Sequence, residues 1–209
     1  MNQGQDRAQH RTQEPGQGHR QAQAEPQGTE QGSARALPQQ PAPLIVTLGM
    51  DDAAFALLDG LRRAHFPPER NFLPAHITLF HALPAAEEAQ VRAQLQAACA
   101  ASAPLPLLLD RIRSLGRGVA LEVRSEALLQ LRERLARGFA PWLNAQDRQG
   151  YRPHVTLQNK VAPEQARRLH QQLSQEWTPL RASGEALLLW RYLGGPWQPL
   201  GRFPSAAAG

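Results

Sequence analysis

His76 with Thr78, and again His154 with Thr156, place an imidazole and a hydroxyl two residues apart between apolar neighbours. In an extended chain, side chains alternate between faces. Each pair therefore shares one face, while Ile77 with Leu79 and Val155 with Leu157 point to the other and can anchor the strand in a core. Two imidazoles and two hydroxyls on rigid strands suit phosphodiester hydrolysis. That reaction needs a base to take a proton from water and an acid to give one to the leaving oxygen, and histidine does either near neutral pH. The threonine hydroxyls can donate to the non-bridging oxygens, where charge gathers in the transition state. One such pair alone reads as a histidine and a threonine on an exposed strand face. The argument lies in two copies, 78 residues apart, at equivalent places in two similar halves.

Neighbouring residues extend the candidate site. By alternation Phe80 falls on the face of His76 and Thr78, where it would stack on a base; its other reading is a core residue at the strand end. Arg152 falls on the face of His154 and is a candidate to hold the phosphate, although Pro153 disturbs the strand there. Arg113 and Arg117 are candidates for a basic rim, and Tyr151 either lines the cleft or packs beneath it. His65, His81 and His170 are read as surface residues of helices or loops. The histidines lack the short-range spacing of a zinc site, and there is no P-loop, so neither a metal nor a nucleotide cofactor is expected.

The elements that position these residues recur in two rounds. Leu44 to Leu48 reads as a buried strand, and Asp51 and Asp52 can cap a helix with Phe55, Leu58 and Leu61 inward, stopped by Pro67 and Pro68. The first signature strand, Ala75 to Phe80, follows, then a helix with Val91, Leu95 and Cys99 on one face. Two strands come next, near Leu105 to Ile112 and Val119 to Val123, joined through Gly116 and Gly118. Ser125 opens a helix carrying Leu128, Leu131, Leu135 and Phe139. The second signature strand, His154 to Leu157, precedes a helix with Ala166, Leu169, Leu173 and Trp177 inward, and two strands end the chain. The expected fold is α+β, a duplicated two-lobed domain with pseudo-twofold symmetry.

Residues 1–42 are rich in Gln, Gly and Pro, with Leu37 their only large aliphatic residue. They read as a disordered tail before a domain spanning 43–205. The net charge of +5 rests on arginine, with Lys160 the single lysine. Guanidinium forks match phosphate oxygens, and a GC-rich genome gives the same bias. The single cysteine, the N-terminus without a secretory signal and the absence of a long apolar run lead to an expected cytoplasmic protein without membrane contact. No heptad pattern is present, and a monomer is expected.

Pro74-Ala-His-Ile-Thr-Leu-Phe80 and Arg152-Pro-His-Val-Thr-Leu157 resemble the paired signatures of the 2H phosphoesterase superfamily, also labelled the 2'-5' RNA ligase or RNA 2',3'-cyclic phosphodiesterase family. The resemblance runs from about Leu44 to Phe203, and the phrases around both motifs are similar to a bacterial branch. It implies antiparallel sheets with outer helices, the signature strands facing each other across a central cleft. It also implies metal-independent opening of a 2',3'-cyclic phosphate on an RNA end or nucleotide, with reverse 2'-5' ligation by the same four residues. On this basis His154 is expected as the base and His76 as the acid, with near-symmetry allowing exchange. RNA phosphodiesterases of the family usually follow the first signature with a Phe-Leu-Gly type turn; here His81-Ala-Leu-Pro84 stands instead, which leaves the substrate open. A module that binds RNA ends without turnover is the competing reading.

Overall fold

Asp51 accepts the Ala54 N–H at 2.9 Å and starts the first helix, as Ser125 does for the third by accepting from Leu128 at 3.1 Å. These local signals set the elements of the computed structural model, which describes residues 42–206. The expected tail lies outside the described residues except for Ala42. The elements run β1 (Leu44–Met50), α1 (Asp52–His65), β2 (Ile77–Leu83), α2 (Glu88–Ala100), β3 (Leu105–Ser114) and β4 (Val119–Arg124). They continue as α3 (Glu126–Gly138), β5 (His154–Gln158), α4 (Pro163–Glu176), β6 (Leu180–Tyr192) and β7 (Trp197–Pro204).

The strands form a single antiparallel sheet ordered β1-β2-β5-β4-β3-β6-β7, and β6 pairs back onto β1, so six strands close on themselves. Where one sheet per lobe was expected, the halves are interleaved. β6, from the second half, lies against β1 over Gly184 to Arg191 and against β3 over Leu180 to Gly184. Each half nonetheless runs β-α-β-α-β.

One face of the sheet carries Leu44, Val46, Leu48, Ile77, Leu79, Leu121, Val155, Leu157, Leu187 and Leu189, all at most 2% exposed. The helices supply the other side of this core through Leu58, Val91, Leu95, Leu128, Leu131, Leu135, Leu169 and Leu173. α1 departs from the expected stripe. Its buried residues are Ala54, Leu58, Asp59 and Arg62, and Phe55 faces outward at 37% exposure, because the helix turns two charged side chains toward the signature strands.

The β3–β4 hairpin turns through Gly116, at φ 75°, and Gly118. A Cβ on Gly118 would lie 2.1 Å from the Gln158 carbonyl oxygen, so only glycine lets this turn pack against the end of β5. Among the described residues, no helix is long and apolar enough to cross a membrane.

Candidate active site

β2 and β5 are joined by one antiparallel bridge, Ile77 opposite Val155. These are the central residues of the two His-x-Thr motifs, and both are fully buried in the core. Antiparallel geometry therefore sets His76 across from Thr156 and Thr78 across from His154, all four on the opposite face. Rather than facing each other from separate sheets, the signature strands are neighbours. They meet with Ile45 and Trp197 around a cavity of about 220 Å³ lined by His76, Thr78, His81, His154 and Thr156.

Both imidazoles are set in the same way. His76 Nδ1 lies 2.8 Å from the Pro74 carbonyl and His154 Nδ1 lies 2.9 Å from the Arg152 carbonyl. A carbonyl only accepts, so each Nδ1 carries the hydrogen, and each Nε2 is the ring nitrogen outside that bond.

Buried charges hold the strands in place. Asp59 of α1 accepts the Ala75 N–H at 2.8 Å, fixing the approach to His76. Arg62 donates to the Thr156 carbonyl at 2.6 Å and to Asn71 and Leu73. On the other side Arg132 of α3 donates to the Leu79 carbonyl at 2.9 Å and to the Asp147 carbonyl at 2.6 Å. Each arginine stands four residues after a fully buried leucine, Leu58 or Leu128, and that charge in an apolar stripe was the available signal for them. Asp147 sits in a loop with no such marker.

A bulge corrects two sequence expectations. Val46 pairs with Phe80 and Thr47 with Thr78, so Leu79 has no partner on β1 and the alternation slips by one residue. Phe80 is thereby turned into the core opposite Val46, with 0% exposure, its ring edge-on to Phe139 and 4.0 Å beneath the Arg132 guanidinium. It has no surface on which a base could stack. His81 is turned the other way, onto the site face, and belongs to neither a helix nor a loop. A second bulge follows the second motif, where Leu157 has no partner on β4 and Gln158 turns inward at 2% exposure.

A second cavity, about 210 Å³, adjoins the first and shares Thr78, His81 and His154 with it. Arg113, Tyr151 and Arg152 line it, so Arg152 is present both through its carbonyl, which orients His154, and through its exposed side chain. Tyr151 both lines the cavity and packs on the core. Arg117 instead donates to the Val161 carbonyl at 3.2 Å and stands apart from both cavities.

Burial pushes the His76 imidazole down to about 4; the hydrogen bond to Pro74 opposes this, and the positive charges of Arg62, His154 and His81 add to it. The Trp197 ring, 5.0 Å from that of His76, supplies part of the cover. Burial lowers His154 as well, opposed by its bond to Arg152 and assisted by Arg113 and His81, while Glu122 raises it. Among the described residues, no three His, Cys, Asp or Glu side chains are grouped to hold a metal ion.

With two oriented imidazoles and two hydroxyls around one cavity, the wider comparison is decisive. The sequence pattern of the 2'-5' RNA ligase superfamily matches residues 50–196. The chain belongs to the 2'-5' RNA ligase superfamily. This is a superfamily of 2H phosphoesterases, and phosphodiester chemistry is what it supports for the chain. No curated protein sequence matches the chain significantly.

The fold is similar to that of TT0787 of Thermus thermophilus, with 19% identity, a TM-score of 0.59, and 80% of this chain and 100% of that one covered. E. coli LigT complexed with 3'-AMP is similar at 19% identity and a TM-score of 0.55, over 79% of this chain and 99% of that one. A phosphoesterase structure matches at 19% identity with a TM-score of 0.52, again over 79% and 99%. As a member of the superfamily the chain thus has a mixed α/β fold, built among the described residues on an antiparallel sheet with four helices.

Proposed function

We propose that this protein is a metal-independent phosphodiesterase that opens 2',3'-cyclic phosphates on RNA ends or nucleotides, acting as a cytoplasmic monomer. The observation that carries the reading is the matched setting of the two imidazoles. Each donates Nδ1–H to the carbonyl two residues before it and leaves Nε2 at a cavity that Thr78 and Thr156 also line. The LigT structure with 3'-AMP supports a nucleotide as ligand.

Burial drives His76 down to about 4, which suits it to serve as the base; burial lowers His154 as well, with its bond to Arg152 and the Glu122 carboxylate opposing, and His154 serves as the acid in its protonated form. This exchanges the roles expected from the sequence. His76 Nε2 takes a proton from water as its oxygen bonds to phosphorus. The phosphorus bond to one ribose oxygen breaks, and that oxygen takes the proton from His154 Nε2. The products are a phosphomonoester and a free ribose hydroxyl, and the imidazoles exchange their protons with solvent. Thr78 and Thr156 donate to the non-bridging oxygens. With a ribose hydroxyl of a second strand in place of water, the same attack on the cyclic phosphate joins strands through a 2'-5' bond, and the other ribose oxygen of the ring leaves with the proton from His154.

We also read the halves as duplicated units related by a pseudo-twofold axis at the Ile77–Val155 bridge. Their repeated element order and matching bulges support this.

The test is turnover, in chelator, of nucleoside 2',3'-cyclic phosphates and a short RNA ending in a cyclic phosphate, with His76→Ala and His154→Ala as controls. Monoester from the intact protein alone is the expected result. Loss of activity in chelator would overturn metal independence, and tight binding of these ligands without product would favour the binding module.

A further inference from the structure

The bulge at Leu79 that buries Phe80 sends His81 into the site, and a buried carboxylate waits behind it. Asp147, with its side chain 1% exposed, accepts His81 Nδ1–H at 2.9 Å. The same carboxylate takes the backbone N–H of His81 at 3.0 Å and that of Ala82 at 3.2 Å. Burial alone would raise this carboxyl, but the hydrogen bonds from the His81 ring and from the two backbone groups outweigh it and hold Asp147 below its ordinary value. Arg132 ties the arrangement together, bridging the carbonyls of Leu79 and Asp147. Because a carboxylate only accepts, the tautomer is settled. Nδ1 carries the hydrogen bonded to Asp147, and Nε2, on the far side of the ring, is the nitrogen left for the cavities. The His81 side chain is 42% exposed and lines both of them.

From this geometry we infer that His81, oriented by Asp147, is a third catalytic imidazole, which donates Nε2–H to a non-bridging oxygen of the phosphate held between His76 and His154. The inference rests on the phosphodiesterase reading above and adds a residue to it. In the complex the ring stands between two anions, the Asp147 carboxylate and the phosphate, and Nε2 takes the second ring proton from solvent as the phosphate binds. In the reaction itself the ring passes no proton on; it joins Thr78 and Thr156 in holding charge that grows on the phosphoryl oxygens. Asp147 is a positioning residue without substrate contact.

The extra donor stands on one side only. At the matching place in the second motif is Asn159, whose side-chain oxygen accepts the Lys160 N–H at 2.8 Å. His81 therefore removes the equivalence of the two motifs and fixes which way round a phosphate sits.

Titration of the full-length protein, labelled with 15N in histidine, with inorganic phosphate reads this contact without turnover. Long-range proton–nitrogen correlation should show His81 becoming the doubly protonated form as His76 and His154 respond. A response at His76 and His154 with His81 unmoved overturns the inference and leaves the phosphate site standing. Silence at all three rings removes the phosphate site itself, and the inference with it.

The kinetic arm uses His81→Asn, whose amide still donates to Asp147 but offers nothing at the Nε2 position, and His81→Gln, whose longer amide reaches toward that position. For a cyclic nucleotide, His81→Asn should lower kcat about 10²-fold, the scale of one lost transition-state donor, and His81→Gln should recover part of it. Equal loss in both marks a structural role and overturns the proposal, as does a change in kcat below about 3-fold in His81→Asn.

Discussion

The two signature motifs share a scaffold and differ in what surrounds it. In each, the imidazole donates to the carbonyl two residues before it, the leucine after the threonine has no strand partner, and a buried arginine from a helix caps a carbonyl of the strand. Beyond the leucine they part. The first turns Phe80 into the core against Phe139 and Arg132 and brings His81 to the site; the second turns in Gln158, whose Oε1 has no hydrogen-bond partner, and follows it with Asn159, which lines neither cavity. His76 lies under Trp197 and near Arg62, whereas His154 has Glu122 opposite it on β4. Antiparallel pairing across the Ile77–Val155 bridge sets each imidazole opposite the other motif's hydroxyl, and the neighbours then give the two imidazoles different surroundings.

The largest expected effect tests the likeness. His76→Ala and His154→Ala should each lower kcat by about 10²–10⁴-fold, and the double variant should be little worse, because base and acid act as one unit. Unequal losses would mean that one imidazole acts alone. Next, Phe80→Ala should destabilise the fold by about 3–5 kcal/mol in denaturant unfolding, as a filled core position does. Gln158→Met, which removes an unpartnered buried oxygen from the matching place, should be close to neutral or stabilising.

The pH behaviour sharpens the difference. With His76 near 4 and His154 below the ordinary 6.5, the free-enzyme bell in kcat/KM should lie between these limits. Activity should fall below about pH 4 as the base is protonated, and fall again on the alkaline side as His154 loses its proton. Trp197→Ala, by exposing His76, should move the acid limb upward. A bell centred above pH 7 would refute the assignment.

The smallest effect is in stability. Both imidazoles are harder to protonate folded than unfolded, so the unfolded chain binds the extra protons and stability should decline as pH falls from about 6.5 to about 4. The fall in thermal midpoint across this window should be shallower in His76→Gln than in the wild-type protein.

Much of this is legible in the sequence. Asp51 and Ser125 cap the helices they were expected to cap, and the apolar stripes of α2, α3 and α4 pack as read. His-x-Thr spacing placed each imidazole with its hydroxyl, and this too needs only the two-residue period of a strand. The errors began where a residue's direction depends on another strand. Strand alternation leaves Phe80 open between a base-stacking position and the core, and His81 reads as a helix or loop surface residue; a bulge set by pairing with β1 turns Phe80 inward and His81 onto the site face. Phe55 was read as inward because helix periodicity weighs hydrophobicity and has no knowledge of the carbonyls that Arg62 must reach.

The chemistry available follows from the residues alone, because residue type fixes which groups can move a proton and strand periodicity fixes which share a face. That the two motifs are neighbours across one bridge, that Asp147 stands behind His81 and that Trp197 covers His76 follow from tertiary packing. Those facts join residues far apart in the chain. They depend on strand order, register and packing, which no local pattern contains.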